Sequence, residues 1–230
     1  MPRIVAMGRR QSWAQKFEAR GRALVGHLLT NATVFYDSMG MSSSWLKAGT
    51  VPPTIARDAL TEGGAHLLDT SAVAGQNSDL YLNTQPGASR TTYVRRPSVA
   101  PWYQAWRVSI DTAIDNVTTM RGGLIDAALG TAGHVIGVTG SVSAAKFCGV
   151  SGGNNALSSV DIATGVFEIE AWGVGTTATL FRVNGESPVV LTYGVGAVDA
   201  WQPYFNTTNG ATAASRAWRL LDFLLMSNGT

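Results

Sequence analysis

The chain has 230 residues, of which 45% are apolar and only 14% charged, and its formal net charge is +2. That length and apolar content suit one large domain with a real core. A single cysteine, Cys148, excludes an internal disulfide, and no run approaches the ~18 apolar residues that a membrane span needs.

The charge is unevenly placed. Residues 1–22 hold Arg3, Arg9, Arg10, Lys16, Arg20 and Arg22 against Glu18 alone, a net of +5, which leaves −3 for the remainder. Residues 1–10 have no useful period and are expected to be extended. Residues 11–30 read as an amphipathic helix: Trp13, Phe17, Leu24 and Leu28 recur on one face, and Ser12 is placed to cap the start. Gly21 and Gly26 weaken such a helix by up to ~1 kcal/mol each, so it needs a partner. Two partners are open: the body of the same chain, or another subunit or acidic surface. Nucleic acid ranks lower, because charge alone supports it and no recognition motif does. The basic residues precede no continuous apolar segment, so no secretion signal is expected, and the N-x-S/T matches at Asn31, Asn116, Asn206 and Asn228 read as chance.

From about residue 33 the texture becomes that of short strands. Residues 34–36 and 45–46 flank a Gly/Ser/Met loop, and Pro52-Pro53 breaks the chain. Strands follow at 65–69 and 79–82, then a proline-containing excursion over 83–101. Residues 102–110 form a strong strand in which Trp106, Val108 and Ile110 alternate with Ala105, Arg107 and Ser109. Further strands are expected near 122–127, 134–139, 144–150 and 160–162, with a turn at Gly152-Gly153.

The clearest alternation is over 166–171, where Phe167, Ile169 and Ala171 take one face and Glu168 and Glu170 the other, which is expected to be wet. A partner strand at 177–183 ends in Asn184-Gly185, the residues of a tight turn into 189–193. Residues 201–206 and the apolar run 216–226 complete the set, the last running through a sheet centre. Eleven to thirteen strands separated by turn signals indicate a mainly β protein, a two-sheet antiparallel β-sandwich of jelly-roll type over residues 33–230, behind a helical or extended arm at 1–32.

Candidate chemistry is sparse. His27, His66 and His134 are isolated from one another and from paired carboxylates or cysteines, so no zinc or catalytic cluster is expected. Gly152-Gly153 lacks the Lys-Ser/Thr of a phosphate loop. Cys148 reads as a small buried hydrophobe. No cofactor is expected.

Four pieces, taken in order, are similar to the concanavalin A-like lectin/glucanase family: Gly122-Gly123-Leu124-Ile125-Asp126, Phe167-Glu168-Ile169-Glu170, Thr179-Leu180-Phe181-Arg182-Val183-Asn184-Gly185, and Arg219-Leu220-Leu221-Asp222-Phe223-Leu224-Leu225. Phe35-Tyr36-Asp37 with Trp45 resembles the family's first strand. The short domain behind a basic arm resembles the sandwich proteins of bacteriophage virions. The resemblance implies a concanavalin-like jelly roll. The family's glucanases place carboxylates at three points of one strand. Here Glu168 and Glu170 occupy two of them and Gly173 stands at the third, so the general acid is missing and a non-enzyme is expected. Asp161 and Glu186 are the first carboxylates to check for a replacement. Sugar binding, the family's other activity, would use Trp172, Trp102, Tyr103, Trp201 and Glu170, with Tyr204, Asn154, Asn155 and Asn209 as further candidates. Trp172 shares the face of the two glutamates, although a sandwich tryptophan is more often core than platform. Asp37 and Asp222 would meet at a calcium site only if the terminal strands paired.

The resulting expectation is a virion structural protein, a capsid decoration or cement subunit. It would dock onto other capsid or tail proteins through Arg9, Arg10, Trp13, Phe17, Arg20, Leu24 and Leu28, as a homo-oligomer, with a trimer favoured. The alternative is a tail-associated carbohydrate-binding module that recognises a host glycan.

Overall fold

The computed structural model describes residues 2–26, 29, 33–38, 45–58, 61–70, 72–82, 100–111, 119–126, 135–141, 146–173, 178–192, 194, 201–209 and 217–228. Within them lie one helix, α1 (Pro2–Leu24), and fifteen strands. The strands are β1 (Thr33–Ser38), β2 (Trp45–Gly49), β3 (Thr54–Asp58), β4 (Thr61–Asp69), β5 (Asn77–Leu82), β6 (Trp102–Ile110), β7 (Thr119–Asp126), β8 (Val135–Ser141), β9 (Lys146–Ser151), β10 (Asn154–Asp161), β11 (Gly165–Gly173), β12 (Ala178–Val183), β13 (Val189–Thr192), β14 (Trp201–Thr208) and β15 (Ala217–Ser227). The expected strands are present; β3, directly after Pro52-Pro53, is an addition. The helix starts at Pro2, so the expectation of an extended segment over 1–10 is corrected.

Two antiparallel sheets form the sandwich. One has eight strands in the order β13-β12-β11-β6-β15-β4-β3, with β1 also on β15. The other has seven, in the order β10-β9-β8-β7-β14-β5-β2. The eleven residues of β15 explain its double use: Ala217–Leu220 pair with β4, and the stretch up to Ser227 pairs with β1. Its nearly unbroken apolar run belongs to a strand covered on both faces. Leu220, Phe223 and Leu225 enter the core between the sheets, whereas Leu224 and Met226 face outward under α1. A register shift between Leu220 and Asp222 lets two core residues stand three apart.

Between the sheets the core is aromatic. Phe223 meets Trp45 and Phe205 edge-on, and Trp45, Trp106 and Trp218 close around Phe205. The hairpin β12–β13 turns at Asn184 (φ 50°) and Gly185 (φ 76°), the left-handed geometry that this dipeptide supplies. The terminal strands pair, but Asp37 lies opposite Phe223 and faces the core, where it accepts from Trp45 Nε1 at 2.6 Å. Asp222 points the other way, to Arg107 and the Tyr36 hydroxyl, so the two aspartates do not meet.

The second face of the eight-stranded sheet is not wet. Helix α1 lies on it, burying Trp13 and Phe17 against Tyr103, Ala105, Trp172, Leu224 and Met226. Of the two partners open to the arm, the body of its own chain takes the apolar stripe. The stripe itself is Trp13, Phe17, Gly21 and Val25, at strict four-residue spacing, with Leu24 half-buried beside it; Leu28 lies outside the described residues. Gly21 is where helix and sheet come closest: a Cβ there would lie 2.6 Å from both Met226 Sδ and Tyr103 Cδ1.

The glutamates expected to be solvated hold the helix down. Glu170 is 1% exposed. It accepts from the Tyr103 hydroxyl at 2.7 Å and from Arg182 Nε and Nη2 at 2.5 and 2.8 Å, and Arg20 of the helix reaches it at 3.3 Å. Glu168 takes Lys16 Nζ at 2.6 Å. The charge also acts through rings: the guanidinium of Arg20 lies 5.0 Å from the centre of Phe17, and that of Arg182 5.4 Å from Trp172.

Glu170→Ala leaves Arg182 and Arg20 facing an apolar seam without their counter-charge, and should cost about 3–5 kcal/mol in urea unfolding. Lys16→Ala removes a solvent-facing pair and should cost at most ~1 kcal/mol. His66 is fully buried beside Trp45, with neither ring nitrogen hydrogen-bonded among the described residues. Burial, helped by Lys47, lowers its pKa from 6.5 to about 4. The unfolded chain therefore takes up a proton on acidification before the native one does. Stability should fall as pH drops from ~6.5 to ~4, by up to ~3 kcal/mol, and His66→Leu should flatten that limb in a pH series of denaturant midpoints.

Candidate functional site

With one sheet covered by α1, the outer face of the seven-stranded sheet carries the candidate site. On β5, Asn77, Asp79 and Tyr81 alternate with Ser78, Leu80 and Leu82. On β14, Tyr204, Asn206 and Thr208 alternate with Phe205 and Thr207. The inward members fill the core, so the polar and aromatic members must face out together. Register sets them side by side: Tyr204 opposite Tyr81, Asn206 opposite Asp79 and Thr208 opposite Asn77. On the far side of β14, β7 adds Arg121 opposite Asn206 and Gly123 opposite Tyr204. Gly137 of β8 continues the row beyond Gly123, so bare backbone runs beside the tyrosine.

These residues enclose a pocket of about 330 Å³, open on one side and lined also by Ile125. Asp79 is its floor. One carboxylate oxygen accepts from Asn206 Nδ2 at 2.6 Å and from the Tyr204 hydroxyl at 3.1 Å; the other accepts from the Asn77 amide. Asn206 Oδ1 in turn accepts from the Thr208 hydroxyl at 2.9 Å. Asn77 is fixed from behind, its backbone N–H bonding Thr50 Oγ1 at 2.9 Å. The rings of Tyr81 and Tyr204 stack 5.0 Å apart at 30°, and with Ile125 make an apolar wall.

Burial pushes the Asp79 carboxyl above its ordinary range, against the opposing pull of its three side-chain donors. The phenols of Tyr81 and Tyr204 rise too, through burial and the neighbouring Asp79 charge, and both remain protonated donors at any physiological pH. The arrangement can hold a small polar ligand against a flat apolar wall; it offers no nucleophile with a base beside it.

The residues expected to bind sugar are elsewhere. Trp102 and Trp201 sit in the core between the sheets, and Trp172 and Tyr103 lie beneath α1, all at most 2% exposed. None can present a ring to a sugar, because each is spent on packing. Glu170 is likewise consumed by Arg182, Arg20 and Tyr103. Asn209 is buried and donates to Val73 O at 3.2 Å, and Asn154 donates to Thr192 O at 3.3 Å. Asp161 pairs with Lys146, and Glu186 accepts from Ser159 N–H, so neither joins Glu170. Only Tyr204 among the candidates lines the pocket. Of the docking residues, Trp13, Phe17 and Arg20 engage the chain's own sheet; the side chains of Arg9 and Arg10 lie outside the described residues. Asn77, Asp79, Tyr81, Arg121 and Asn206 were missed. Their signal was the polar–aromatic alternation on two strands, but 127 residues separate Asp79 from Asn206.

The sheet order and strand pairing define a concanavalin-like jelly-roll sandwich, the fold of the legume lectins. No protein-family model matches the sequence, and no curated protein matches it. The likeness lies in solved structures. A Shewanella oneidensis MR-1 protein of unknown function superposes with a TM-score of 0.57 at 11% identity, over 88% of this chain and 90% of that one. Peanut lectin, solved with a nine-residue peptide, gives 0.57 at 8% identity, over 86% and 98%. Lectin UEA-II in complex with galactose gives 0.54 at 9%, over 85% and 98%. At these identities the shared property is the fold.

Asp79→Ala strands three donors of the pocket floor without their acceptor. It should lower the unfolding free energy by about 1–3 kcal/mol, and Tyr204→Phe, which removes a single bond, by ~1 kcal/mol, both read from urea midpoints.

Proposed function

We propose that the protein is a non-enzymatic carbohydrate-binding module whose ligand sits on the outer face of the seven-stranded sheet. The observation that carries the reading is the pocket in which a stacked tyrosine pair stands over the Asp79–Asn206–Tyr204–Asn77 network. Sugars present apolar C–H faces edged by hydroxyls, and a flat apolar wall beside fixed amides complements both. The lectin fold of the neighbours supports the same reading, including UEA-II solved with galactose.

The setting that the sequence resemblance supports is the exterior of a bacteriophage particle, where such a module would engage a host-surface glycan as a homo-oligomer. The capsid-decoration reading ranks second. It relied on an arm free to dock, whereas Trp13, Phe17, Lys16 and Arg20 are engaged by the chain's own sheet.

A glycan array probed with the full chain should show retention of a restricted set of saccharides. Tyr81→Ala, checked for native circular dichroism, should reduce the signal at least tenfold. Absence of retention on any immobilised glycan would overturn the reading. Retention undiminished in a folded Tyr81→Ala protein would move the site off this face.

A further inference from the structure

The pocket's unused hydrogen-bonding capacity is lopsided. Its carboxylate and amide oxygens are all engaged: both Asp79 oxygens are taken, Asn206 Oδ1 is taken by Thr208, and Asn77 Oδ1 accepts from the Thr50 N–H and hydroxyl, each at 3.3 Å. Its donors are not. Arg121 lines the pocket, yet its Nε is buried with no hydrogen-bond partner among the described residues. No ion pair joins Arg121 to Asp79 among the described residues, and burial raises the Asp79 carboxyl, the opposite of what a guanidinium bound to it would do. The Tyr204 phenol, in contrast, feels the Arg121 charge. The Arg121 side chain, opposite Asn206 on the neighbouring strand, thus lines the pocket with no hydrogen bond or ion pair of its own among the described residues. A buried N–H of this kind is costly unless something supplies an acceptor.

Neutral sugar hydroxyls donate as readily as they accept, and a site built for them offers both kinds of partner. Here the acceptors left are hydroxyl oxygens alone, those of Tyr81, Tyr204 and Thr208, whereas one of the donors left carries a fixed positive charge. We infer that the ligand is an acidic saccharide whose carboxylate takes the Arg121 fork while its ring lies against Tyr81, Tyr204 and Ile125. The inference rests on the carbohydrate-binding reading and narrows it to sugars of the uronic-acid or sialic-acid type. Guanidinium matches a planar carboxylate in a bidentate pair, which gives orientation as well as affinity. Tyr81, whose hydroxyl makes no hydrogen bond among the described residues, stands opposite Tyr204 and can donate to a ring or glycosidic oxygen.

The test is titration of the ¹⁵N-labelled full chain with D-galacturonic acid, D-glucuronic acid and N-acetylneuraminic acid. D-galactose and D-glucose serve as neutral matches and galactose 6-sulfate as a second anion. The readouts are the Arg121 Nε–H signal and the dissociation constant from shifts of residues around the pocket. At least one carboxylated sugar should bind ten or more times tighter than its neutral match and move the Arg121 signal. Arg121→Met should abolish the preference, and Arg121→Lys, which keeps the charge without the fork, should retain only part of it; the lysine variant decides the matter if the methionine variant fails to fold. Equal binding of acidic and neutral sugars, unchanged in Arg121→Lys, would overturn the inference and leave the carbohydrate-binding reading intact. Preference for the sulfate ester over every carboxylate would overturn the carboxylate assignment. No shift around the pocket with any sugar would overturn both.

Discussion

Glu170 is a carboxylate shut between a sheet and a helix, and the architecture of one half of the molecule answers to its charge. An uncompensated anion at that depth would cost several kcal/mol. Arg182 supplies a bidentate guanidinium from the neighbouring strand, Tyr103 a phenol from the strand on the other side, and Arg20 a second cation from α1. Three elements distant in sequence are tied to one side chain. Around that point the apolar contacts organise themselves: Trp13 and Phe17 on the helix, Trp172, Leu224 and Met226 on the sheet. Hydrophobic burial supplies the attraction, and the ion cluster fixes which way the helix lies.

A second buried carboxylate, Asp79, is handled differently. Among the described residues no cation bonds it; two amides and a phenol do. Neutral donors stabilise the charge less than guanidinium would, and desolvation prevails, so the acid is weakened. The contrast separates the two sheets by role. Where charge meets charge, the surface is sealed and becomes structure. Where charge is met by amides at the bottom of an open pocket, the polar groups are fixed in orientation and a guanidinium beside them is left unfilled, which is the condition for recognising something else.

Much of the sandwich was legible because strands advertise themselves by alternation. The 166–171 run, the Asn184-Gly185 turn and the strand at 102–110 all fell where the period placed them. The continuous apolar run of β15 correctly signalled a central strand. What alternation does not carry is which strands are neighbours. β5 and β14 each looked ordinary, and only their adjacency turns Asp79, Tyr81, Tyr204 and Asn206 into a site. The same gap misplaced Glu170: its face was polar by pattern, but a helix from the other end of the chain covers it. Tryptophans misled for a related reason, since the ring that suits a sugar also suits a core, and four of the residues nominated for binding were needed for packing.

The pairing of β1 and α1 with β15 has a consequence for how the chain is made. Synthesis delivers α1 and β1 long before β15, so Trp13 and Phe17 leave the ribosome with their docking surface still untranslated. The eight-stranded sheet also cannot close until its fifth strand arrives. Such long-range pairing is slow and leaves apolar surface bare in the interval. The helix, made well before the strand beneath it, is therefore among the last elements to settle.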